Sequence, residues 1–77
     1  MEKKHQKELR MLGLTIAYHR KLRGMTQINL AERVNISRTH ISNIEAPNGT
    51  TSVSLETLFD IADALEVPIK DLFDFRS

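Results

Sequence analysis

An all-α domain of five short helices is the fold class that this 77-residue sequence predicts, and three observations carry it. Apolar residues recur at the i, i+3, i+4, i+7 spacing of a helix face. Thr26, Ser37 and Ser54 each precede such a stretch, where a side-chain oxygen can accept a bond from an orphan backbone N–H. Gly24, Asn35, Pro47 and Pro68 stand between the stretches, where helices end or begin.

The elements follow in order. The first helix is expected over roughly residues 7–23, with Leu9, Leu12, Ile16 and Leu22 inward and Gly24 ending it. The second begins after Thr26 and sets Gln27, Leu30, Ala31 and Val34 on one face. Ala31 is small enough to let another helix cross closely. Asn35 occupies the turn in a left-handed conformation, which asparagine tolerates better than most residues. The third helix begins after Ser37. Its Ile41 and Ile44 face inward, while Arg38, Thr39, Ser42 and Asn43 point elsewhere. Met25 with Leu30, and Ile36 with Ile41, straddle the two caps as hydrophobic staples. Neither cap is expected to form a full capping box, because the third helical positions are Asn29 and His40 rather than Glu or Gln. Pro47 ends the third helix, and residues 47–51 read as a loop. Ser54 caps the fourth helix, with Val53 and Leu58 as a further staple. Leu55, Leu58, Phe59, Ala62 and Leu65 form its expected buried stripe. Pro68 suits the first position of a short fifth helix carrying Ile69, Leu72 and Phe73.

Residues 26–45 carry the most information. Two short helices joined by a tight turn, the second with an outer polar face, are how a small domain presents a helix to the major groove of DNA. The spacing of Gly13, Ile16, Arg20, Thr26, Gln27, Leu30, Ala31, Val34, Ser37, Ile41, Ile44 and Glu45 resembles the Cro-like, or XRE, helix-turn-helix family of phage repressors and small bacterial regulators. The segment 55–72 resembles that family's closing two helices. Ala17, Asn35 and Ala46 depart from the residues usual in the family, Arg at the first and Gly at the other two. The resemblance implies a compact five-helix, lambda-repressor-like domain.

Affinity for DNA and selection of a sequence need different contacts: phosphate contacts set register, and base-edge contacts read sequence. Arg38 and Thr39 lie in the first turn of the third helix. Arg38 suits a bidentate pairing with guanine, Thr39 a base edge or a thymine methyl, and Asn43 adenine or a phosphate. The resemblance implies base readers at these three positions. It also implies that Gln27 bonds a phosphate while bracing the third helix, and that Arg20 pairs with Glu45 in a partly buried, structural ion pair. His40, Asn48, Thr50 and Thr51 are further expected phosphate contacts. For His40 the alternative is a place at the interface edge, adding charge as pH falls. Lys3, Lys4, Lys7 and Arg10 form either a basic arm along the DNA backbone or a disordered tail. An ordinary solvated helix face is the bland alternative for the third helix.

Net charge is only +1, but it is unevenly spread. Residues 1–38 hold nine Lys or Arg against three Asp or Glu, and residues 39–77 hold two against seven. The basic half suits a polyanion, and the acidic half should face away from it. Simple solvation of helix faces would also account for the pattern. An acidic patch including Glu45, Asp60 or Asp63 is a candidate contact for polymerase.

Such a chain makes one small domain, residues 1–77, burying only about 60% of the surface its unfolded form exposes. There is no cysteine, so disulfides and thiolate metal sites are excluded. Dimerisation is the remaining common source of burial. Ile69, Leu72, Phe73 and Phe75 concentrate apolar surface near the C-terminus, and residues 66–77 are expected to form a two-fold dimer interface. The alternative is that Leu72 and Phe73 complete the core and Phe75 frays. A dimer would set two recognition helices roughly 34 Å apart, matching an inverted-repeat site.

No metal is expected, because His5, His19 and His40 lack ligand spacing, and no cofactor or membrane is implied. Neither an apolar run long enough to span a bilayer nor a signal-peptide core is present, which suggests a cytoplasmic protein. An enzyme is not expected: no cysteine nucleophile, phosphate loop or His-Glu-His helix appears. The expectation is therefore a homodimeric regulator, chiefly a repressor, of double-stranded DNA. The competing reading is a protein-interaction module, antitoxin-like or an anti-repressor target, that holds its partner through Phe73 and Phe75.

Overall fold

The computed structural model describes residues 4–46 and 53–75. Among them are five helices: α1 (Gln6–Leu22), α2 (Gln27–Val34), α3 (Arg38–Glu45), α4 (Leu55–Leu65) and α5 (Ile69–Leu72). No strand occurs among the described residues. Helix α2 packs on α3 and α4, α1 crosses α3, and α5 closes the end against α4 and α1.

Local chemistry explains the boundaries. Thr26, Ser37 and Ser54 cap α2, α3 and α4, accepting from the backbone N–H of Asn29, His40 and Thr57. The cap of α2 is a full box, contrary to expectation. The Asn29 side-chain oxygen accepts from the Thr26 backbone N–H at 3.1 Å, so an amide one methylene shorter than glutamine still closes the ring. Gly24 has φ +68° and Asn35 has φ 59°, the left-handed conformation that ends a helix. Glu66 ends α4 in the same way at φ 61°, with no side chain suited to that region.

The core joins all five helices. Ile16, Leu30, Ile41, Ile61, Leu65 and Leu72 are fully buried within it. Met25, Ile36 and Val53 are half-buried against this core, and the staple partners Leu30, Ile41 and Leu58 are inside it.

Four expected core residues lie outside: Leu9 is half-buried and apart from the core cluster, and the other three are exposed. Leu22 is 64% exposed, Leu55 66% and Phe59 53%. Leu22 sits at the last position of α1, on the side that carries Leu14 and Tyr18 and is turned from the core. The stripe of α4 is Leu58, Ile61, Ala62 and Leu65, rotated from the expected one so that Ile61 replaces Phe59 and Leu55. Both stripes have helical spacing. The observed one faces α2, α1 and α5 together.

A close crossing sets the angle of α3. Gly13 of α1 is buried, and a Cβ there would collide with the carbonyl oxygen of Ile44. Any side chain at position 13 would hold the two helices apart.

Candidate nucleic-acid interface

Helix α3 divides into two faces. Ile41, Ile44 and Glu45 are buried. Arg38, Thr39 and Asn43 are exposed, with His40 and Ser42 half-buried beside them. Thr39 and Asn43, one turn apart, share a line along the outer side. Arg38 and Ser42 share the adjacent line. His40 lies on the other flank.

This face is held by a charged network beneath it. Arg20 Nε donates to Glu45 Oε2 at 2.8 Å, and its Nη2 donates to Oε1 at 3.0 Å. The pair is bidentate, the strong geometry for guanidinium and carboxylate. Arg20 Nη1 also donates to the Met25 carbonyl at 2.7 Å, tying the α1–α2 turn to the same group. Gln27 Nε2 donates to Glu45 Oε1 at 3.0 Å. One carboxylate at the end of α3 is thus gripped from α1 and from the start of α2. Arg20 is 8% exposed and Glu45 7%, so neither charge has water as a substitute partner. Among the described residues, no buried side-chain polar atom lacks a hydrogen bond.

Glu45 therefore offers nothing to an acidic surface patch, because its carboxylate is consumed inside the fold. Asp60 and Asp63 remain exposed. Asn48, Thr50 and Thr51 lie outside the described residues, as does Lys3. Gln27 is half-buried at the first position of α2, where backbone N–H groups also favour an anion. Arg38, Gln27, Thr26 and Ile28 line one shallow depression between the starts of α2 and α3.

At the C-terminal end the four expected interface residues separate. Leu72 is fully buried in the core and has no surface left for a partner. Small size and the demands of the α1–α4–α5 junction take it. Ile69 and Phe75 are half-buried against the core, and Phe73 is exposed. The Phe73 and Phe75 rings meet at 6.4 Å between centroids.

Sequence reasoning overlooked Arg23. Its Nε donates to the Leu65 carbonyl at 2.8 Å and its Nη2 to the Glu66 carbonyl at 3.2 Å. These bonds satisfy orphan carbonyls at the end of α4. An arginine just past the end of α1 gave no local signal of a partner so distant in sequence. Gly13 fits the family spacing in the sequence, but its steric role exists only at the crossing of α1 and α3.

Residues 16–72 match the family model described as helix-turn-helix. The chain belongs to the XRE-type helix-turn-helix family of DNA-binding regulators. It is 47% identical over 54 residues to the control protein C.BamHI of Bacillus amyloliquefaciens. That alignment takes in 70% of this chain and 64% of the relative's own length. Among solved structures, the restriction-modification controller protein C.AhdI from Aeromonas hydrophila superposes with a TM-score of 0.80 at 25% identity. The match spans 87% of this chain and 98% of that one. SinR, a master regulator for biofilm formation solved in complex with DNA, gives a TM-score of 0.73 at 28% identity. It covers 82% of this chain and 98% of the other. The helix-turn-helix of this member is α2, the Asn35 turn and α3. Among the described residues, no helix is long and apolar enough to cross a membrane.

Proposed function

We propose that this chain is a transcription regulator that binds double-stranded DNA as a homodimer, with α3 of each protomer in a major groove of an inverted-repeat operator. The observation that carries the reading is the exposed row of Arg38, Thr39 and Asn43 on a helix whose buried side is anchored by Arg20, Gln27 and Glu45. A reading helix must be held rigidly, because base-edge hydrogen bonds tolerate little misplacement. Arg38, Thr39 and Asn43 read bases. Gln27 spends one amide hydrogen on Glu45 and offers the other to a phosphate, which sets α3 in register. His40, Asn48, Thr50 and Thr51 add backbone contacts.

The C-terminal face is the dimer contact in this reading. Ile69, Phe73 and Phe75 provide it, without Leu72. Leu55 and Phe59, left outside the core, extend the exposed apolar surface of the protein. Occupation of a promoter represses by excluding polymerase. The kinship with controller proteins makes regulation of a restriction-modification system the first setting to test. We read the chain, residues 1–77, as one cytoplasmic binding domain without a cofactor and not as an enzyme.

The test is selection from a random duplex pool, with sequencing of the bound fraction and sedimentation of the complex. Enrichment of an inverted repeat with half-sites about one helical turn apart supports the reading. A well-folded protein that enriches no sequence at low or physiological salt refutes it.

A further inference from the structure

Two turns far apart in the chain are tied together by one side chain. Arg23 opens the α1–α2 turn, and its guanidinium reaches the turn between α4 and α5. Nε donates to the Leu65 carbonyl at 2.8 Å and Nη2 to the Glu66 carbonyl at 3.2 Å, while Nη1 lies 3.6 Å from Glu66 Oε1. Leu65 is the last residue of α4, and Glu66 is the left-handed residue where the chain turns toward α5. The exposed ion pair adds little. The two bonds to backbone carry direction, because a guanidinium is a rigid planar fork.

The same α1–α2 turn is fastened to the reading helix. Arg20 Nη1 donates to the Met25 carbonyl, while Nε and Nη2 hold Glu45 at the end of α3. The Met25 backbone N–H donates to the Arg20 carbonyl at 3.1 Å, and the Arg23 N–H to the carbonyls of His19 and Arg20. A continuous path of hydrogen bonds therefore runs from the end of α3, through the α1–α2 turn, to the start of α5. Helix α5 has few other constraints. It has four residues and no side-chain cap. Leu72 is its one fully buried residue, with Ile69 and the flanking Val67 and Phe75 half-buried. Four residues make about one turn, and a single turn held chiefly at one point tilts unless its entry is fixed.

We propose that Arg23 is a positioning residue for DNA reading. By fixing the start of α5 relative to α3, it sets the separation of the two reading helices in the dimer, and so the operator spacing that the protein accepts. This rests on the proposed function, in which the C-terminal face carries the dimer contact and α3 the base readers. One base pair more or fewer between half-sites shifts one of them by about 3.4 Å and turns it by about 35°. Base-edge contacts tolerate much less than that. A dimer with α5 fixed rejects the altered spacing. A dimer whose α5 tilts at Glu66 follows it part of the way.

The test is binding to inverted repeats of the selected half-site, with the spacer varied one base pair at a time. Arg23→Met keeps an apolar stem and removes the donors. It should reduce the preference for the best spacer over its neighbours by about 10-fold, equivalent to roughly 1.4 kcal/mol, and leave binding to an isolated half-site unchanged. Arg23→Lys, with one charged donor, should recover part of the preference. The chain has no cysteine, so Thr39→Cys carries a single spin label per protomer on the exposed side of α3. The label-to-label distance in the DNA-free dimer should be broader with Arg23→Met than without it. Thermal melts identify folded protein, and Arg23→Gln takes the place of Arg23→Met if the latter does not fold. A folded variant with the parent's spacer preference overturns the inference, as does an unbroadened label distance. An equal loss at every spacer and at the isolated half-site also overturns it, because that is a loss of fold alone. Failure of the proposed function reads differently: the parent then selects no inverted repeat, or Phe73→Glu leaves the dimer intact, and this inference falls with it.

Discussion

Replacing Arg20 with alanine should unfold the protein before it tests any contact with DNA. The substitution removes three donated hydrogen bonds, two to Glu45 and one to the Met25 carbonyl. Glu45 keeps only the bond from Gln27 and stays buried. Breaking a buried pair from one side costs about 3–5 kcal/mol, since the remaining charge has neither water nor a counter-ion. A chain of this length has a total stability of roughly 4–12 kcal/mol. The loss is therefore a large part of the whole, and it should lower the melting temperature by roughly 12–40 °C. Urea denaturation measures the free energy directly. DNA binding is then measured below the variant's melting temperature. A second variant separates the two roles: Arg20→Met with Glu45→Met removes both charges and should recover most of the stability, because a well-packed apolar pair often equals a buried ion pair. A stable Arg20→Ala protein, within about 1 kcal/mol of the parent, would refute the reasoning. So would a fully folded double variant that binds no DNA, since that would make Arg20 or Glu45 a contact.

Other expectations follow from the same geometry. Gly13→Ala gains about 1 kcal/mol of helix propensity but drives a methyl into the Ile44 carbonyl. Overpacking of about 1–3 kcal/mol should prevail, and a raised melting temperature would contradict the close crossing. Glu66→Gly should stabilise by about 1 kcal/mol, because it relieves a left-handed residue. The exposed Arg23–Glu66 ion pair that is lost contributes little. Ser54→Ala should cost about 1 kcal/mol through the lost cap of α4, read by urea denaturation. Arg38→Ala should leave the melting temperature unchanged and relax base preference at one operator position by about 1–3 kcal/mol, read by binding to single-base variants of the selected site.

Much of the architecture was legible because its determinants are local. Thr26, Ser37 and Ser54 announce helix starts by capping chemistry that needs no distant partner. Gly24 and Asn35 announce ends by backbone preference. The outward row on α3 follows from knowing that Ile41 and Ile44 face inward. What resisted reading was the phase of α4. Leu55, Leu58, Phe59, Ala62 and Leu65 satisfy helical spacing as well as Leu58, Ile61, Ala62 and Leu65 do. Periodicity names a face, and only the neighbours that cover it choose between two adjacent ones. Leu72 failed as an interface residue for the same reason: its burial depends on where α1 and α4 leave a gap. The Asn29 box shows a milder limit, where a residue outside the usual pattern still reaches its target.

By itself the sequence determined five helices, their caps and turns, the family, and the row of side chains that α3 turns outward. The helices, caps, turns and outward row depend on residues within a few positions of one another, so the chain's own stereochemistry suffices, and the family shows in the spacing of such local signals along the chain. Only the tertiary structure decided which apolar residues are core and which are surface, and it placed Gly13 against the Ile44 carbonyl. It also joined Arg23 to the end of α4 and added the Met25 carbonyl to the Arg20–Glu45 pair that the family resemblance implied. Those outcomes bring together groups far apart in the chain, and their energies exist only once close packing has fixed the distances.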